Sequence, residues 1–139
     1  MTVNKDNNLL NTFLIALAIA GIVFTFLFQD FSFLERLNVS EQVQFVLRKA
    51  LRVLLNDLFM LIFITAWFKD WKVTRLAIVI QVIDGFILLP LYLIFKLELE
   101  GASEISSPLL SQFHRLIINP TLMILLIPAI YFQKLSRKA

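Results

Sequence analysis

The chain of 139 residues has no cysteine, one histidine and three glycines. Without cysteine there is no disulfide, no thiolate metal ligand and no cysteine nucleophile. So few glycines exclude a glycine-rich phosphate-binding loop. A lone histidine without cysteine or clustered carboxylates makes a poor metal site. The sequence therefore predicts neither a metal nor another cofactor.

Charge is also scarce, at 17% of residues, whereas 59% are hydrophobic and the mean hydropathy is +0.82. Soluble domains are about 25% charged and about 45–50% apolar. The basic residues lie beside apolar runs and the net charge is only +3, so we expect a membrane partner and no nucleic acid. Residues 1–139 are predicted to form a single polytopic membrane domain.

Four apolar runs are long enough to cross a bilayer core of about 30 Å, which takes roughly 20 helical residues. They predict an all-α membrane protein, a compact bundle of four transmembrane helices. A cleaved signal peptide is the alternative for the first run, but its "ALA" and "AIA" triplets lie inside an apolar stretch too long for one. The predicted spans are residues 9–28, 51–68, 76–95 and 116–132.

The segment after the first span is predicted to lie on the membrane surface, over about residues 30–50, because Phe31, Phe33, Leu34 and Leu37 make it apolar. A helix is expected from about 41 to 68, beginning at a capping box of Asn38 and Glu41 or at Ser40. Its length would be about 42 Å, so its first turns would stand in the headgroup region.

Orientation follows from the basic residues near the span ends. The short stretch 69–75 makes the second and third spans an antiparallel hairpin, and it is basic, as is the C-terminal tail. Both are predicted to be cytoplasmic, which places the N-terminus there too and residues 96–115 outside, although several arginines of 36–52 are exceptions. The basic residues concerned are Lys5, Lys69, Lys72, Arg75, Lys134, Arg137 and Lys138.

Polar residues recur inside the spans at helical spacing. Arg48, Arg52 and Asn56 form one stripe on the second helix, next to Asp57. Asp84 lies near the middle of the third span, where a charged Asp costs about 2.5–3.5 kcal/mol. We expect it to face the bundle interior, to pair or to be protonated.

The fourth span begins with a similar stripe of Ser111, Arg115 and Asn119, with His114 beside it and Pro120 next. These side chains and those of the second helix predict a partly buried polar cluster at the outer face, with Asp84 beneath it. The cluster either fixes helix register or docks a partner or ligand. Its predicted members are Arg48, Arg52, Asn56, Asp57, Asp84, His114, Arg115 and Asn119.

Two other functions are compatible with these residues. Asp84 is a candidate coupling carboxylate for a small proton or cation transporter. His114, with the serines near it and an aspartate, is a candidate for a membrane hydrolase, although no spacing selects such a triad. The expected function is nevertheless non-enzymatic, with no catalytic residue.

Three stretches carry a resemblance to a known family: "LRKALRVLLNDLF" (47–59), "FKDWKVTR" (68–75) and "HRLIINPTLMILLIPAIYFQK" (114–134). In this order, with an outer loop of about twenty residues before the last span, the chain from about residue 30 resembles the small membrane proteins associated with the exosortase F system of Gram-negative bacteria. The matching positions would be Arg48, Arg52, Asn56, Asp57, Arg115, Asn119, Pro120 and Pro128.

The resemblance implies a small bacterial inner-membrane protein encoded beside an exosortase, a polytopic enzyme that processes sorting-signal proteins at the outer side of that membrane. The family has no assigned activity. Exosortases use a cysteine with an arginine and a histidine, so a chain without cysteine is not the transpeptidase. The implied role is an accessory or assembly subunit whose partner is an exosortase-type integral membrane protein.

Overall fold

The structure, a computed structural model, describes residues 3–28, 31–103 and 105–138. These residues form helices and short connections, with no strand among them, so the predicted all-α class is confirmed. The helices are α1 (Val3–Leu27), a 3-10 turn (Ser32–Arg36), α2 (Glu41–Phe68), α3 (Trp71–Ile83), a π turn (Asp84–Leu88), α4 (Leu89–Leu99), α5 (Pro108–Ile118) and α6 (Thr121–Ser136).

Three helical stretches of the described chain are long and apolar enough to cross a membrane: Asn7–Leu27, Glu41–Phe68 and the continuous stretch Trp71–Glu100. The fourth predicted span, 116–132, is divided between α5 and α6, which meet at an angle of 63°. The described part of the chain therefore has three membrane-length helices, or four spans if the bent pair counts as one.

Helix α2 begins and ends where the sequence predicted. Ser40 is its N-cap and accepts a hydrogen bond from the backbone N–H of Val43 at 3.5 Å, so the capping box of Asn38 and Glu41 was the wrong alternative. Residues 41–50 are the first turns of this helix. The segment before it is a 3-10 turn that buries Leu34 and leaves Phe33 exposed.

The hairpin between α2 and α3 is tighter than expected. Lys69 takes the left-handed conformation (φ 52°) that ends α2, and the Asp70 carboxylate accepts the backbone N–H of Lys72 at 2.9 Å to begin α3. Only residues 69 and 70 connect the helices, whereas 69–75 had been predicted. Lys72 and Arg75 thus stand on the first turns of α3.

Two apolar clusters show how the helices pack. The first joins the N-terminal half of α2 to α4 and α5, through Phe45, Val53, Leu89, Tyr92, Leu93, Leu110, Ile117 and Ile118. The second joins the C-terminal half of α2 to α3 and α6, through Met60, Ile64, Val73, Ala77, Met123, Leu126 and Ile130. This pairing confirms that α2 runs antiparallel to α3 and α4.

The same packing defines two ends of the molecule. The loop end holds the start of α2, the end of α4, the following loop and α5. The turn end holds residues 69 and 70, the start of α1 and the end of α6. Lys69 donates to the Asn8 side chain at 3.1 Å there, and Trp67 donates its ring N–H to the Tyr131 hydroxyl at 2.9 Å.

Helix α1 packs along α2, and a glycine makes their close approach possible. A Cβ atom at Gly21 would overlap the ring of Phe59 on α2. One turn later the buried Thr25 hydroxyl donates to the Gly21 carbonyl at 2.9 Å, which satisfies a polar group facing the partner helix. Lipid tails are as apolar as these side chains, so close packing supplies much of the association energy in a bilayer.

Prolines explain the two irregular stretches. Pro90 has no N–H to donate to the carbonyl four residues back, and the helix widens just before it, where the Leu89 N–H bonds to the Asp84 carbonyl in the π register. Pro120 forces the preceding residue out of the helical region, so Asn119 is extended (φ −85°, ψ 146°) and α5 ends. Pro128 stands inside α6 without interrupting it.

Candidate functional site: a buried polar layer and a polar pocket

The predicted polar cluster is divided into a buried part and a surface part. Asn56 and Asp57 of α2 and Asp84 of the π turn are 5%, 1% and 1% exposed. Along α2, Asn56 and Asp57 follow the residues of the first apolar cluster and precede those of the second. Along α3 and α4, Asp84 follows the residues of the second cluster and precedes those of the first. They therefore form a polar layer between the two apolar clusters.

Asn56 has a structural partner. Its side-chain amide donates to the backbone carbonyl of Ile118 at 3.0 Å, at the last residue of α5. The Ile118 carbonyl is at the end of α5. In a continuous helix the backbone N–H four residues later would donate to it, but the bend removes that donor. Asn56 thus fixes the register of α2 against the bent pair.

Asp57 and Asp84 are both buried, on α2 and on the π turn, and these two elements contact each other. Neither oxygen of Asp57, nor Oδ1 of Asp84, has a hydrogen-bond partner among the described residues. Burying such groups is costly unless a proton or a cation is shared between them. The pair is therefore suited to hold a proton or a small cation, beside a π turn of the kind frequently found at functional sites.

The arginines make up the surface part. Arg48 and Arg52 are half-buried and share one stripe of α2 with Asn56, which bonds to α5. Nε of Arg48 is buried and has no hydrogen-bond partner in the described part of the chain. Arg115 on α5 is exposed, as is Asn119 at the bend. We name Arg48, Arg52 and Arg115 the arginine patch; the first two are on α2 and the third is on α5, and these two helices contact each other.

His114 lies apart from the aspartates. Its Nδ1 atom is 2.9 Å from the Tyr92 hydroxyl, and the two rings meet edge to face with centroids 5.7 Å apart. Both line a polar pocket of about 100 Å³ at the loop end. The other described residues that line this pocket are Phe45, Lys49, Lys96, Ser103, Ser106 and Ser111.

Lys96 is the central residue of the pocket wall and is 1% exposed. Its ammonium donates to Oε2 of Glu100 at 2.5 Å and to the Ile105 carbonyl at 2.6 Å. Oε1 of Glu100 accepts the backbone N–H of Ser107 at 2.6 Å. These bonds tie the loop after α4 over the end of the helix and hold the lysine inside.

Lys49 supplies a second buried ammonium from α2. Its side chain is 8% exposed, and its nitrogen lies 5.1 Å from the centre of the Phe45 ring, within the range of a cation–π interaction. The pocket that Lys49 lines does not include Asp57 or Asp84. Two buried lysines thus face a pocket whose described lining carries no carboxylate.

The sequence did not predict the polar pocket. Lys96 was taken for the first residue of the outer loop, yet its spacing of four from Glu100 was a visible signal for an ion pair on one helix face. Tyr92 also belongs to this pocket, where it faces His114.

The described residues contain no group of three or more histidines, aspartates or glutamates that could hold a metal ion. Comparison with known proteins found no match among protein-family models, curated proteins or solved structures.

Proposed function

We propose that the chain is a non-enzymatic accessory or assembly subunit of the bacterial inner membrane, which docks a membrane-embedded partner through the arginine patch. The observation that carries the proposal is the exposed Arg115 on the bent pair of α5 and α6, which also exposes apolar side chains such as Phe113 and Ile124. At the outer face, a carboxylate on a partner helix would give the Arg115 guanidinium a charge-assisted hydrogen bond, and the apolar side chains would pack against the same helix.

Four spans are part of this proposal, with the bent pair of α5 and α6 as the last. The turn end carries Lys69, Lys72 and Arg75, and the end of α6 adds Lys134 and Arg137. The bias of basic residues toward the cytoplasm favours placing this end, and both termini, inside. The loop end and its pocket would then face the outer side.

The expected partner is an exosortase-type enzyme, because the sequence resemblance points to that system and the arginine patch would stand on the side where such an enzyme acts. A docking face needs complementary charge, so the partner is expected to present an acidic or amide side chain toward Arg115. Arg48, which is half-buried on α2, would complete the contact.

The test is a pull-down of the tagged protein from its native host in mild detergent. Arg52→Ala and Arg115→Ala should each lose the co-purifying partner while membrane insertion persists. Arg137→Ala, an exposed arginine at the turn end, is the matched control and should keep the partner. Unchanged recovery of the partner from both patch variants would contradict docking through this face.

A second candidate function is supported by the aspartate pair. Two buried, poorly hydrogen-bonded carboxyl groups, one of them in the π turn, suit a small proton- or cation-coupled transporter that uses Asp84. Asp84→Asn should then abolish proton-coupled flux in proteoliposomes and leave partner complexes intact, whereas Glu98→Gln, an exposed carboxylate on α4, should not. Equal flux from the wild type and Asp84→Asn would exclude this candidate.

A further inference from the structure

The π turn leaves one backbone carbonyl without a backbone donor. In an α-helix the Gly85 carbonyl would accept the N–H of Leu89, but that N–H bonds to the Asp84 carbonyl instead. In the π register the next donor would be residue 90, which is a proline and has no N–H. The helix that holds this turn therefore offers no backbone N–H to the Gly85 carbonyl.

Two buried carboxyl groups belong to the same part of the molecule. Asp84 is the first residue of the π turn, and Asp57 is on α2, which contacts the turn. Each side chain is 1% exposed. Both oxygens of Asp57 and Oδ1 of Asp84 have no hydrogen-bond partner among the described residues. The buried layer thus holds oxygen acceptors whose donors or counter-charges the described chain does not supply.

The chemistry of these groups favours a cation. Carboxylate and carbonyl oxygens are the ligands that hard cations such as Na⁺, Mg²⁺ and Ca²⁺ prefer. One dehydrated cation can be shared by a carbonyl and two carboxyl groups, and it brings positive charge to a layer that is otherwise costly to bury. Interrupted membrane helices hold Na⁺ in this way, through carbonyls that the helix itself no longer uses.

The number of oxygens restricts the cation. The described residues offer two oxygens of Asp57, one of Asp84 and the Gly85 carbonyl. Ca²⁺ takes about six to eight oxygen ligands, and Mg²⁺ usually keeps several waters, for which a layer between two apolar clusters is unsuited. K⁺ is larger and is surrounded by rings of carbonyls in channel filters. A small monovalent ion, which few ligands can enclose, fits best.

We propose that the π turn binds one dehydrated Na⁺, coordinated by the Gly85 carbonyl and by the carboxyl groups of Asp84 and Asp57. The proposal deepens the second candidate function, because it names the ion held at the same carboxyl groups. The use of the ion in transport rests on that function, whereas its binding does not.

The experiment is equilibrium binding of radioactive Na⁺ to the purified full chain in mild detergent, with unlabelled ions as competitors at constant ionic strength. We expect saturable binding of one Na⁺ per chain, and unlabelled Na⁺ should compete at least about tenfold better than K⁺ or Ca²⁺. Absence of saturable binding, or equal competition by K⁺ or Ca²⁺, would overturn the proposal. This comparison uses the wild type, so it does not depend on how any variant folds.

A first variant tests the carboxyl group of the turn. Asp84→Asn should weaken Na⁺ binding at least about tenfold, because affinity for a hard cation depends on the number of charged ligands. Glu98→Gln removes an exposed carboxylate of α4, is the matched control and should bind Na⁺ like the wild type. Equal affinities of Asp84→Asn and the wild type would overturn the proposal.

A second variant tests the carbonyl separately. Pro90→Ala supplies an N–H that can donate to the Gly85 carbonyl, so Na⁺ affinity should fall several-fold. The thermal midpoint in Na⁺-free buffer should rise, because the helix gains a hydrogen bond. A site that only needs an intact helix would bind Na⁺ at least as well in this variant, and that result would overturn the proposal.

Flux measurements distinguish this site from the transporter candidate. Na⁺ binding by a chain that shows no coupled flux in proteoliposomes would support the site and exclude the transporter. Proton-coupled flux by a chain that binds no Na⁺ would overturn the site and leave a transporter that uses protons alone.

Discussion

The side-chain amide of Asn56 on α2 donates a hydrogen bond to the backbone carbonyl of Ile118, 3.0 Å away, where the last apolar stretch of the chain bends. The bend requires this bond, because the carbonyl at the end of α5 would otherwise be buried without a donor. The Asn56 side chain on α2 thus stabilises the bend between α5 and α6.

Asn56→Ala is expected to lower the free energy of unfolding by about 1–3 kcal/mol, the cost of leaving a buried acceptor unsatisfied. The measurement is reversible unfolding in mixed micelles, followed by circular dichroism. Asn119→Ala, at an exposed position beside the bend, is the matched control and should change stability little. Equal effects from the two variants would mean that the Asn56 bond does not support the bend.

Gly21→Ala is expected to destabilise the packing of α1 on α2, because the added Cβ overlaps the Phe59 ring. The control is Gly85→Ala, where a Cβ meets nothing within 4 Å and where alanine favours the helix by about 0.5–1 kcal/mol. Thermal midpoints in detergent should therefore fall for the first variant and hold or rise for the second. If the thermal midpoint rose for Gly21→Ala and fell for Gly85→Ala, α1 would not pack on α2 at Gly21.

Glu100→Ala is expected to release the loop that follows α4, since Glu100 links Lys96 to the Ser107 backbone N–H. Hydrogen exchange at the Ser107 amide should accelerate by at least about tenfold, because its acceptor is gone. Glu98→Ala removes an exposed carboxylate two residues earlier and should leave that amide protected. An unchanged exchange rate in Glu100→Ala would show that other contacts hold the loop.

Asp57→Asn is expected to raise stability, in contrast to Asn56→Ala one residue earlier. Asp57 is buried and has no hydrogen-bond partner for either oxygen among the described residues. In Na⁺-free buffer, replacing the carboxylate with a neutral amide should relieve about 1–3 kcal/mol of desolvation cost. The check is the unfolding free energy in the same micelles. A loss of stability would indicate an ionised Asp57 with a donor that holds it.

The sequence predicted the helices well where a local signal marks them. The predicted helix over about 41–68 agrees with α2, whose start Ser40 and the apolar run after it indicated, whereas the span predicted over 116–132 is bent just after Pro120. The antiparallel hairpin was predicted, but its connection was predicted too long, because Asp70, read as part of a basic turn, acts as a helix cap. Capping residues and prolines thus set these helix boundaries, and the Asp70 cap could have been recognised in the sequence.

The site was harder to predict, because its partners are distant in the chain. Nothing near Asn56 indicates that it bonds to the carbonyl of Ile118, since backbone acceptors leave no trace in the sequence. Lys96 would ordinarily extend toward the headgroups from the end of a span, and only the folded loop turns it inward. His114 was grouped with charged residues, yet packing brings it to Tyr92.

The most direct test of the account is the sidedness of its two ends, and the absence of native cysteine makes it straightforward. Ser103→Cys at the loop end and Lys138→Cys at the turn end would be probed in intact spheroplasts with a thiol reagent that does not cross membranes. The account predicts labelling of the first before lysis and of the second only after it. Labelling of Lys138→Cys from outside, or of both variants equally before lysis, would contradict it.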